Sequence, residues 1–183
     1  MKTLETSRLL LREWQLSDSK DLYEYAQSDL VGPNAGWPPH ENEEKSKEII
    51  KEFIASKCIY AIELKETGKV IGGIGIHERQ PDPALKDLKQ RELGYVLNPA
   101  YWGRGIVPEA VNRLIQFGFD DLNLDIIWCD HYKENIKSKR VNEKCGFKYH
   151  MKKEETLTLL DNKKVETWYY KIEKNAYKTG KII

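Results

Sequence analysis

The chain has 183 residues, of which 40% are hydrophobic, and its 30 lysine and arginine residues nearly balance its 29 aspartate and glutamate residues. This length suits a single domain over residues 1–183 with a core of its own, whereas a net charge of +1 argues against a nucleic-acid-binding protein. No apolar run approaches the roughly 20 residues that cross a bilayer, and the first residues lack the apolar region of a signal peptide.

The first half of the chain predicts strands, two helices and a loop. Ser17 and Asn42 are polar residues of the kind that cap helices, and each is followed by apolar residues at helical spacing. Between them, a segment rich in glycine and proline breaks both kinds of regular structure. The predicted elements are a strand over 8–14, a helix after Ser17, a loop over 32–39, a helix after Asn42, and strands over 58–64 and 70–77 joined by a turn at 66–69.

The second half contains one clear helix, over 107–122, whose apolar residues form a single stripe and whose first turn holds Pro108. The other predicted elements are strands over 91–97 and 125–131, a helix over 135–145 closed by Gly146, and a terminal hairpin of strands 156–160 and 165–172 that turns at 161–163. The element order, β-α-α-β-β-β-α-β-α-β-β, predicts one α+β (mixed α/β) domain with a mostly antiparallel sheet.

The three cysteines give an expectation about the compartment. Cys58, Cys129 and Cys145 are odd in number, share no metal-like spacing and have apolar neighbours. We interpret them as buried thiols in a reducing compartment, and we expect a cytoplasmic protein.

The segment over 91–107, RELGYVLNPAYWGRGIV, is the most informative part of the sequence. A predicted strand ends at Leu97, and Gly103 and Gly105 then lead directly into the predicted helix. Glycines at alternate positions let backbone amides turn inward, and the unpaired amides at a helix N-terminus attract anions. A pyrophosphate is therefore a natural ligand, and a tight turn without a ligand is the alternative interpretation.

Two features distinguish this loop from other phosphate-binding loops. Pro108 stands where a dinucleotide-binding G-x-G-x-x-G loop has its third glycine, and the Gly-Lys-Ser/Thr of a P-loop is missing. We also expect the flanking strands to be antiparallel, unlike those of a βαβ unit. Arg104 either adds a positive charge to the loop or faces solvent.

The loop resembles the acetyl-CoA pyrophosphate loop of the GNAT acetyltransferase superfamily, whose pattern is Gln/Arg-x-x-Gly-x-Gly/Ala. The chain departs from that pattern at Trp102, the first position, and at Val107, the last. Four segments in the same order resemble the ribosomal-protein-alanine (RimJ/RimL-like) branch: Thr6-Ser7-Arg8-Leu9-Leu10-Leu11-Arg12, Glu92-Leu93-Gly94-Tyr95, Trp102-Gly103-Arg104-Gly105, and Asn135-Ile136-Lys137-Ser138 with Gly146-Phe147.

The resemblance implies a fold and a co-substrate. The fold would be a GNAT-type, mostly antiparallel sheet flanked by helices and splayed open after Leu97, and acetyl-CoA would bind there without a metal. The pantetheine arm would pair with strand backbone, the pyrophosphate would lie on the loop amides, and the next helix would contact the arm or the thioester. The implied acetyl-CoA contacts are Tyr95, Val96, Leu97, Trp102, Gly103, Arg104, Gly105, Ile106, Val107, Asn135 and Ser138.

Glu92 is our candidate for deprotonating an acceptor amine, directly or through water. Strand alternation places it on the face opposite Tyr95, and the apolar strands around it would raise its pKa. An ion pair between Glu92 and Arg91 or a lysine is the alternative interpretation. His77 and His131, both at strand ends, are rival bases.

The departing thiolate needs a proton, and many relatives supply it from a tyrosine in the last helix. The predicted helix 135–145 has no tyrosine, and Tyr132 precedes it. Ser138 is therefore the candidate donor or relay, although its hydroxyl could instead bond the helix backbone.

The acceptor would bind between the loop 32–40 and the terminal hairpin. Trp37 could form a wall of this pocket, and His40 or Asn34 could supply a polar contact. Trp37 could equally fill the core between the first two helices.

The function we expect is transfer of an acetyl group from acetyl-CoA to a primary amine by direct attack. The acceptor would be a protein N-terminus or a small amine, and a homodimer is possible. A catalytically inactive acyl-CoA-binding regulatory module is the alternative, which the missing tyrosine favours. A nucleic-acid or protein-interaction module has only the aromatic content in its favour.

Overall fold

The computed structural model describes residues 1–180, which form one eight-stranded sheet and five α-helices. The strands are β1 (Leu4–Glu5), β2 (Leu9–Arg12), β3 (Ile59–Leu64), β4 (Lys69–His77), β5 (Gln90–Leu97), β6 (Ile126–Tyr132), β7 (Lys148–Leu157) and β8 (Lys163–Glu173). The helices are α1 (Ser19–Ala26), α2 (Glu43–Ser56), α3 (Ile106–Gln116), α4 (Ile136–Lys144) and α5 (Lys174–Lys178).

The strand order in the sheet is β1-β2-β3-β4-β5-β6-β8-β7. Neighbouring strands are antiparallel except β5 and β6, which pair in parallel from Gln90 with Ile126 to Leu93 with Cys129. The mixed, mostly antiparallel sheet is confirmed. The expectation of antiparallel strands on either side of the glycine-rich loop is wrong, because α3 carries the chain back across the sheet and β6 then runs in the same direction as β5.

The helices cover both faces of the sheet, and α3 is the main helix of one face. The predicted apolar stripe of α3 is confirmed, since its inward residues are buried in the larger core cluster with residues of the sheet. On the other face, α1 and α2 enclose a second cluster around Trp14, Tyr25 and Ile50. No helix within residues 1–180 has the length and apolar character to cross a membrane.

The start of α1 differs from the prediction. Ser17 does not cap it, because Ser17 lies inside a 3-10 turn over Leu16–Asp18 that precedes the helix. The buried carboxylate of Asp18 accepts hydrogen bonds from the Gln15 amide at 2.8 Å and from the Arg12 guanidinium at 2.8 and 2.9 Å. The ion pair between Asp18 and Arg12 therefore fixes the turn that precedes α1.

Two other helix ends agree with the sequence. The Asn42 side chain accepts a hydrogen bond from the Lys45 amide at 2.8 Å and caps α2, as predicted. Gly146 follows α4 with a φ of 84°, as a C′ residue does. The helix predicted over 107–122 ends earlier, since the regular helix stops at Gln116 and a π-helical turn continues over Phe117–Asp121.

The terminal hairpin is much longer than predicted. The strand expected over 156–160 is wrong, because β7 runs over Lys148–Leu157 and the following residues form the turn. β7 is an edge strand that alternates exposed and partly buried positions with mostly polar side chains, so it gives no hydrophobic signal. The two-residue strand β1 and the short helix α5 were also not predicted.

All three cysteines are free thiols. Cys129 and Cys145 are buried, as expected, whereas Cys58 is only partly buried because it precedes β3 at the margin of the sheet.

Candidate active site

The sheet opens between its two central parallel strands. β5 and β6 pair only as far as Leu93 and Cys129, and the remaining residues of each strand diverge. The opening therefore begins at Leu93, earlier than the predicted position after Leu97. The backbone of the outer half of β5 consequently has no partner strand on the β6 side.

Strand alternation determines which backbone groups face this gap. The Asn98 amide donates to Ile71 O on β4 at 2.8 Å, so the N–H and C=O of Leu97 and of Tyr95 point away from β4 and towards the gap. Those of Val96 point towards β4. The indole Nε1 of Trp102 donates to Leu97 O at 2.9 Å, which places Trp102 across the outer end of the gap.

The glycine-rich loop adjoins the same end of β5. Gly103 and Gly105 have φ values of 76° and 72°, in the left-handed region, where a residue with a Cβ is sterically strained. A Cβ at Gly103 would meet no heavy atom within 4 Å, and one at Gly105 would meet only Arg8 Nη2, at 3.7 Å. Gly105 is the N-cap of α3, so the first amides of the helix, which have no partner within the helix, lie beside these uncrowded glycines.

A carboxylate in the first turn of α3 anchors the N-terminal segment beside the loop. Glu109 accepts hydrogen bonds from Thr6 Oγ1, Ser7 Oγ and the Arg8 amide at 2.5, 3.1 and 3.0 Å, and from Arg8 Nε at 2.7 Å. Burial raises the pKa of Glu109, but these hydrogen bonds outweigh it and lower the pKa below its usual value. Sequence reasoning missed this cluster, although an acidic residue in a first helical turn was a visible signal.

Arg104, between the two glycines, contacts Tyr101 and Arg8. Its guanidinium lies over the Tyr101 ring at 5.2 Å from the centroid, and its carbonyl accepts from Arg8 Nη1 at 2.9 Å. The Arg104 side chain is exposed. Arg8 is therefore the arginine next to Gly105, whereas the Arg104 side chain faces solvent beside Tyr101.

A hydroxyl pair lies where α4 passes the gap. Asn135 caps α4 by accepting from the Ser138 amide at 3.1 Å, and Ser138 Oγ lies 2.7 Å from Tyr95 Oη. Tyr95 Oη also donates to Asn142 Oδ1 at 3.2 Å, and burial keeps the pKa of Tyr95 well above its usual value. The hydroxyl of Ser138 therefore bonds a neutral tyrosine that comes from β5, not from the helix.

The opposite face of the gap carries three carboxylates. Glu92 is 4% exposed, and its Oε1 accepts from Arg79 Nη1 at 2.9 Å. Burial raises the pKa of Glu92, as expected, and outweighs the opposing effect of Arg79. Asp130 and Glu155 are the other two carboxylates. The charge of Glu155 raises the pKa of Glu92 further, and the charges of Glu92 and Glu155 raise the pKa of Asp130. Arg91, the partner considered from sequence, pairs instead with Glu78 at 2.6 Å.

Two adjoining cavities lie over these carboxylates. One, of about 370 Å³, is lined by Arg79, Gln80, Pro81, Glu92, Lys153, Glu155 and Tyr169. The other, of about 490 Å³, is lined by Ala35, Gly36, Arg79, Asp130, Tyr132, Glu155, Thr156, Leu157, Thr158, Leu159 and Tyr169. The loop after α1 and the terminal hairpin thus line one cavity, in the region where the acceptor was expected.

The residues expected to bind the acceptor lie elsewhere. Trp37 packs against the second core cluster with its ring 5.1 Å from that of His40. His40 is buried and its Nδ1 bonds Ser46 Oγ at 2.8 Å, while Asn34 Nδ2 donates to Leu30 O at 3.1 Å. None of the three lines either cavity, which matches the alternative interpretation of Trp37 as part of the core.

The rival histidines also lie outside the cavities. His77 Nδ1 is 3.7 Å from Cys58 Sγ, and burial, followed by the charge of Arg79, lowers the pKa of His77 to about 4. His131 is buried with its Nδ1 2.8 Å from Tyr132 O, and burial lowers its pKa as well. Within residues 1–180, no group of three or more histidine, cysteine or acidic side chains is arranged to hold a metal ion.

Comparisons with known proteins agree with this architecture. A family model described as an acetyltransferase (GNAT) domain matches residues 8–148. The chain is 30% identical over 150 residues to the "Uncharacterized N-acetyltransferase YoaA" of Bacillus subtilis (strain 168), an alignment that covers 79% of this chain and 81% of the relative.

Solved structures share the whole fold. An acetyltransferase (GNAT family) from Bacillus anthracis superimposes with a TM-score of 0.83 at 23% identity, over 95% of this chain and 99% of that one. The ribosomal-protein-S5-alanine acetyltransferase from Vibrio fischeri superimposes with a TM-score of 0.74 at 20% identity, over 96% and 98% of the two chains. The family match includes both the glycine-rich loop and Ser138.

Proposed function

The chain belongs to the GNAT acetyltransferase family, and we propose that it moves an acetyl group from acetyl-CoA to a primary amine by direct attack. The observation that carries this proposal is the gap between β5 and β6, which has the glycine-rich loop and the N-terminus of α3 at its outer end and carboxylates beside it on one face. A donor with a phosphate-bearing arm and an acceptor amine can therefore meet in one place.

The donor side rests on the loop and the free strand edge. We propose that the amides from Gly103 to Val107 hold the pyrophosphate, with Arg104 as an added positive charge. The outward backbone groups of Tyr95 and the outward amide of Leu97 would pair with the pantetheine arm, while Leu97 O already accepts from Trp102 Nε1. The predicted backbone contact of Val96 is not part of this proposal, because its groups point towards β4. Asn135 would act by capping α4.

Acetyl-CoA supplies an activated acetyl group, which the amine nitrogen attacks as the thiol leaves. For this reaction the protein must remove a proton from an ammonium group and deliver one to sulfur. We propose that Glu92 drives the deprotonation, directly or through an intervening group, because it is buried beside the cavities with a raised pKa.

Protonation of the sulfur is the proposed task of Ser138. Its hydroxyl lies 2.7 Å from Tyr95 Oη, which in turn donates to Asn142. In this proposal Ser138 gives its proton to sulfur as it takes one from the attacking amine nitrogen, so that the hydroxyl stays neutral. Tyr95, whose high pKa keeps it neutral, holds the Ser138 oxygen in place by a hydrogen bond. This hydroxyl pair supports the proposal of an enzyme over that of an inactive binding module.

The acceptor is proposed to be a protein N-terminus or a small amine that enters through the cavity of about 490 Å³. Membership of the ribosomal-protein-alanine (RimJ/RimL-like) branch is part of this proposal, supported by the four ordered segments and by the shared fold of the Vibrio fischeri enzyme. A cytoplasmic location and a homodimer also stay predictions, and light scattering during size-exclusion chromatography tests the second.

The test is release of thiol from acetyl-CoA with a panel of amines that includes peptides with free N-termini. Thermal shift with acetyl-CoA and with free CoA measures binding separately. Binding with amine-dependent thiol release supports the enzyme, and binding without release from any amine supports a regulatory module. No stabilisation at millimolar acetyl-CoA contradicts both.

A further inference from the structure

Asp130 is the first residue of β6 beyond the part of the strand that pairs with β5. The preceding residue, Cys129, is the last to pair with β5, and Asp130 lines the cavity of about 490 Å³. It therefore stands at the mouth of the gap, on the cavity face of the sheet. No part of the sequence analysis singled it out.

The three carboxylates of this face differ in their partners. Glu92 is bonded to Arg79 at 2.9 Å, and both oxygens of Glu155 are occupied, by Tyr169 Oη at 2.5 Å and Thr167 Oγ1 at 2.6 Å. Within residues 1–180, the Asp130 carboxylate makes no hydrogen bond or ion pair with another side chain. Among the described residues, it is the one member of the group with no side-chain partner on either oxygen, whereas Glu92 has a partner on Oε1 and Glu155 on both oxygens.

The surroundings of Asp130 favour its protonated form. Burial, and then the negative charges of Glu92 and Glu155, raise its pKa to about 8, while Arg79 acts in the opposite direction. An ammonium that enters would meet a group whose proton affinity suits reaction near neutral pH. The groups that face Asp130 from the surrounding elements are Glu92 of β5, Arg79 after β4, Glu155 of β7, Tyr169 of β8 and Tyr132 of β6.

We propose that Asp130 is the catalytic residue that accepts the proton of the acceptor ammonium, and that Glu92 with Arg79 is a positioning pair that acts through it. This proposal rests on the proposed function. An N–H bond of the ammonium breaks, its electron pair stays on nitrogen, and the proton joins an Asp130 oxygen. The nitrogen then forms the amide bond as the C–S bond breaks, its second proton passes to sulfur, and the Asp130 proton returns to water.

The experiment compares Asp130→Asn with Asp87→Asn, a matched change at an exposed loop residue. Acetyl-CoA affinity and the pH profile of kcat/KM are measured for each. We expect Asp130→Asn to lower kcat/KM by roughly 10²–10⁴-fold and to leave acetyl-CoA affinity unchanged. We also expect kcat/KM of the wild type to rise as pH approaches 8 and the part of this rise that comes from Asp130 to be missing in the variant. Asp130→Glu should restore part of the rate, and Asp87→Asn should behave as wild type.

A second measurement does not depend on turnover. Carbon-13 NMR of side-chain carboxyl groups should show one aspartate that titrates near pH 8, is absent in Asp130→Asn, and titrates at lower pH in Glu92→Gln because a neighbouring negative charge is gone. Wild-type turnover and pH profile in a folded Asp130→Asn variant, or an Asp130 carboxyl that titrates near its ordinary value, would overturn the role of Asp130 alone. If the wild type binds acetyl-CoA but releases no thiol with any amine, the proposed function itself fails, and this role falls with it.

Discussion

The contact between Glu109 and the N-terminal segment gives a prediction whose size can be worked from the structure. Glu109→Gln keeps the shape of the side chain but replaces one carboxylate oxygen with an NH₂ group. In the wild type, one oxygen accepts from Thr6, Ser7 and the Arg8 amide, and the other accepts from Arg8 Nε and Nη2 at 2.7 and 2.6 Å. The NH₂ group would face the donors of Arg8, so that contact is lost.

A hydrogen bond to a charged group contributes about 1.5–3 kcal/mol, but the Arg8 side chain is 45% exposed, and exposed ion pairs contribute about 0–1 kcal/mol. The three contacts to the other oxygen survive in weakened form because the amide oxygen is neutral. We therefore expect Glu109→Gln to lower the free energy of unfolding by about 1–2 kcal/mol. For a chain of this size, that corresponds to a fall in Tm of roughly 2–8 °C.

The assay is urea unfolding of wild type and variant at neutral pH and under acid conditions. Because the pKa of Glu109 is lower in the folded protein than its value of 4.5 in the unfolded chain, its contribution is present above pH 4.5 and is lost as pH falls through the folded pKa. The difference between wild type and variant should therefore shrink in acid. Glu48→Gln is the control, since Glu48 makes an exposed i,i+3 pair with Lys45 and should cost less than about 0.5 kcal/mol. Equal losses in the two variants, or a difference that persists in acid, would refute the reasoning.

Three further predictions concern the reaction. Gly105→Asp should weaken acetyl-CoA binding, measured by calorimetry, by more than about tenfold, because it places a negative charge and a strained φ beside the proposed phosphate site. The control is Gly68→Asp, at a similar φ of 67° in a distant turn, which should bind acetyl-CoA normally. Glu92→Gln should lower kcat and leave acetyl-CoA binding nearly intact, and lost binding would mean that Glu92 is structural. Tyr95→Phe should lower kcat in the thiol-release assay more than it changes KM, and an unchanged kcat would remove Tyr95 from the proton path.

The strand–loop–helix junction proposed to bind the donor could be predicted from sequence because it is local. The glycines, the strand before them and the helix after them lie within one segment, so spacing and conformational preference were enough to place Gly105 at the N-terminus of α3. The strand face of Glu92 followed from alternation alone. These features need no knowledge of which strands pair.

The acceptor half could not be predicted, because it depends on pairing across the sheet. Asp130 and Glu155 come together only because β6 pairs with β8 and β8 with β7, and β7 had no hydrophobic period to identify it. The parallel crossover was missed for a related reason, since the direction of β6 relative to β5 is set by how α3 packs. Trp37 shows the converse, because its loop was correctly placed while its ring turned into the core.

Strand alternation also separates the groups proposed to remove and to deliver protons. On β5, Glu92 and Tyr95 project to opposite faces of the sheet, and on β6 Asp130 projects away from its neighbour Cys129, which bonds Asn142 at 3.0 Å beneath α4. The carboxylates thus lie on the cavity face, and the Tyr95–Ser138 pair lies on the α4 face. Because the strands diverge just beyond Leu93, a reacting carbon held in the gap can be approached from one face and can lose its leaving group toward the other.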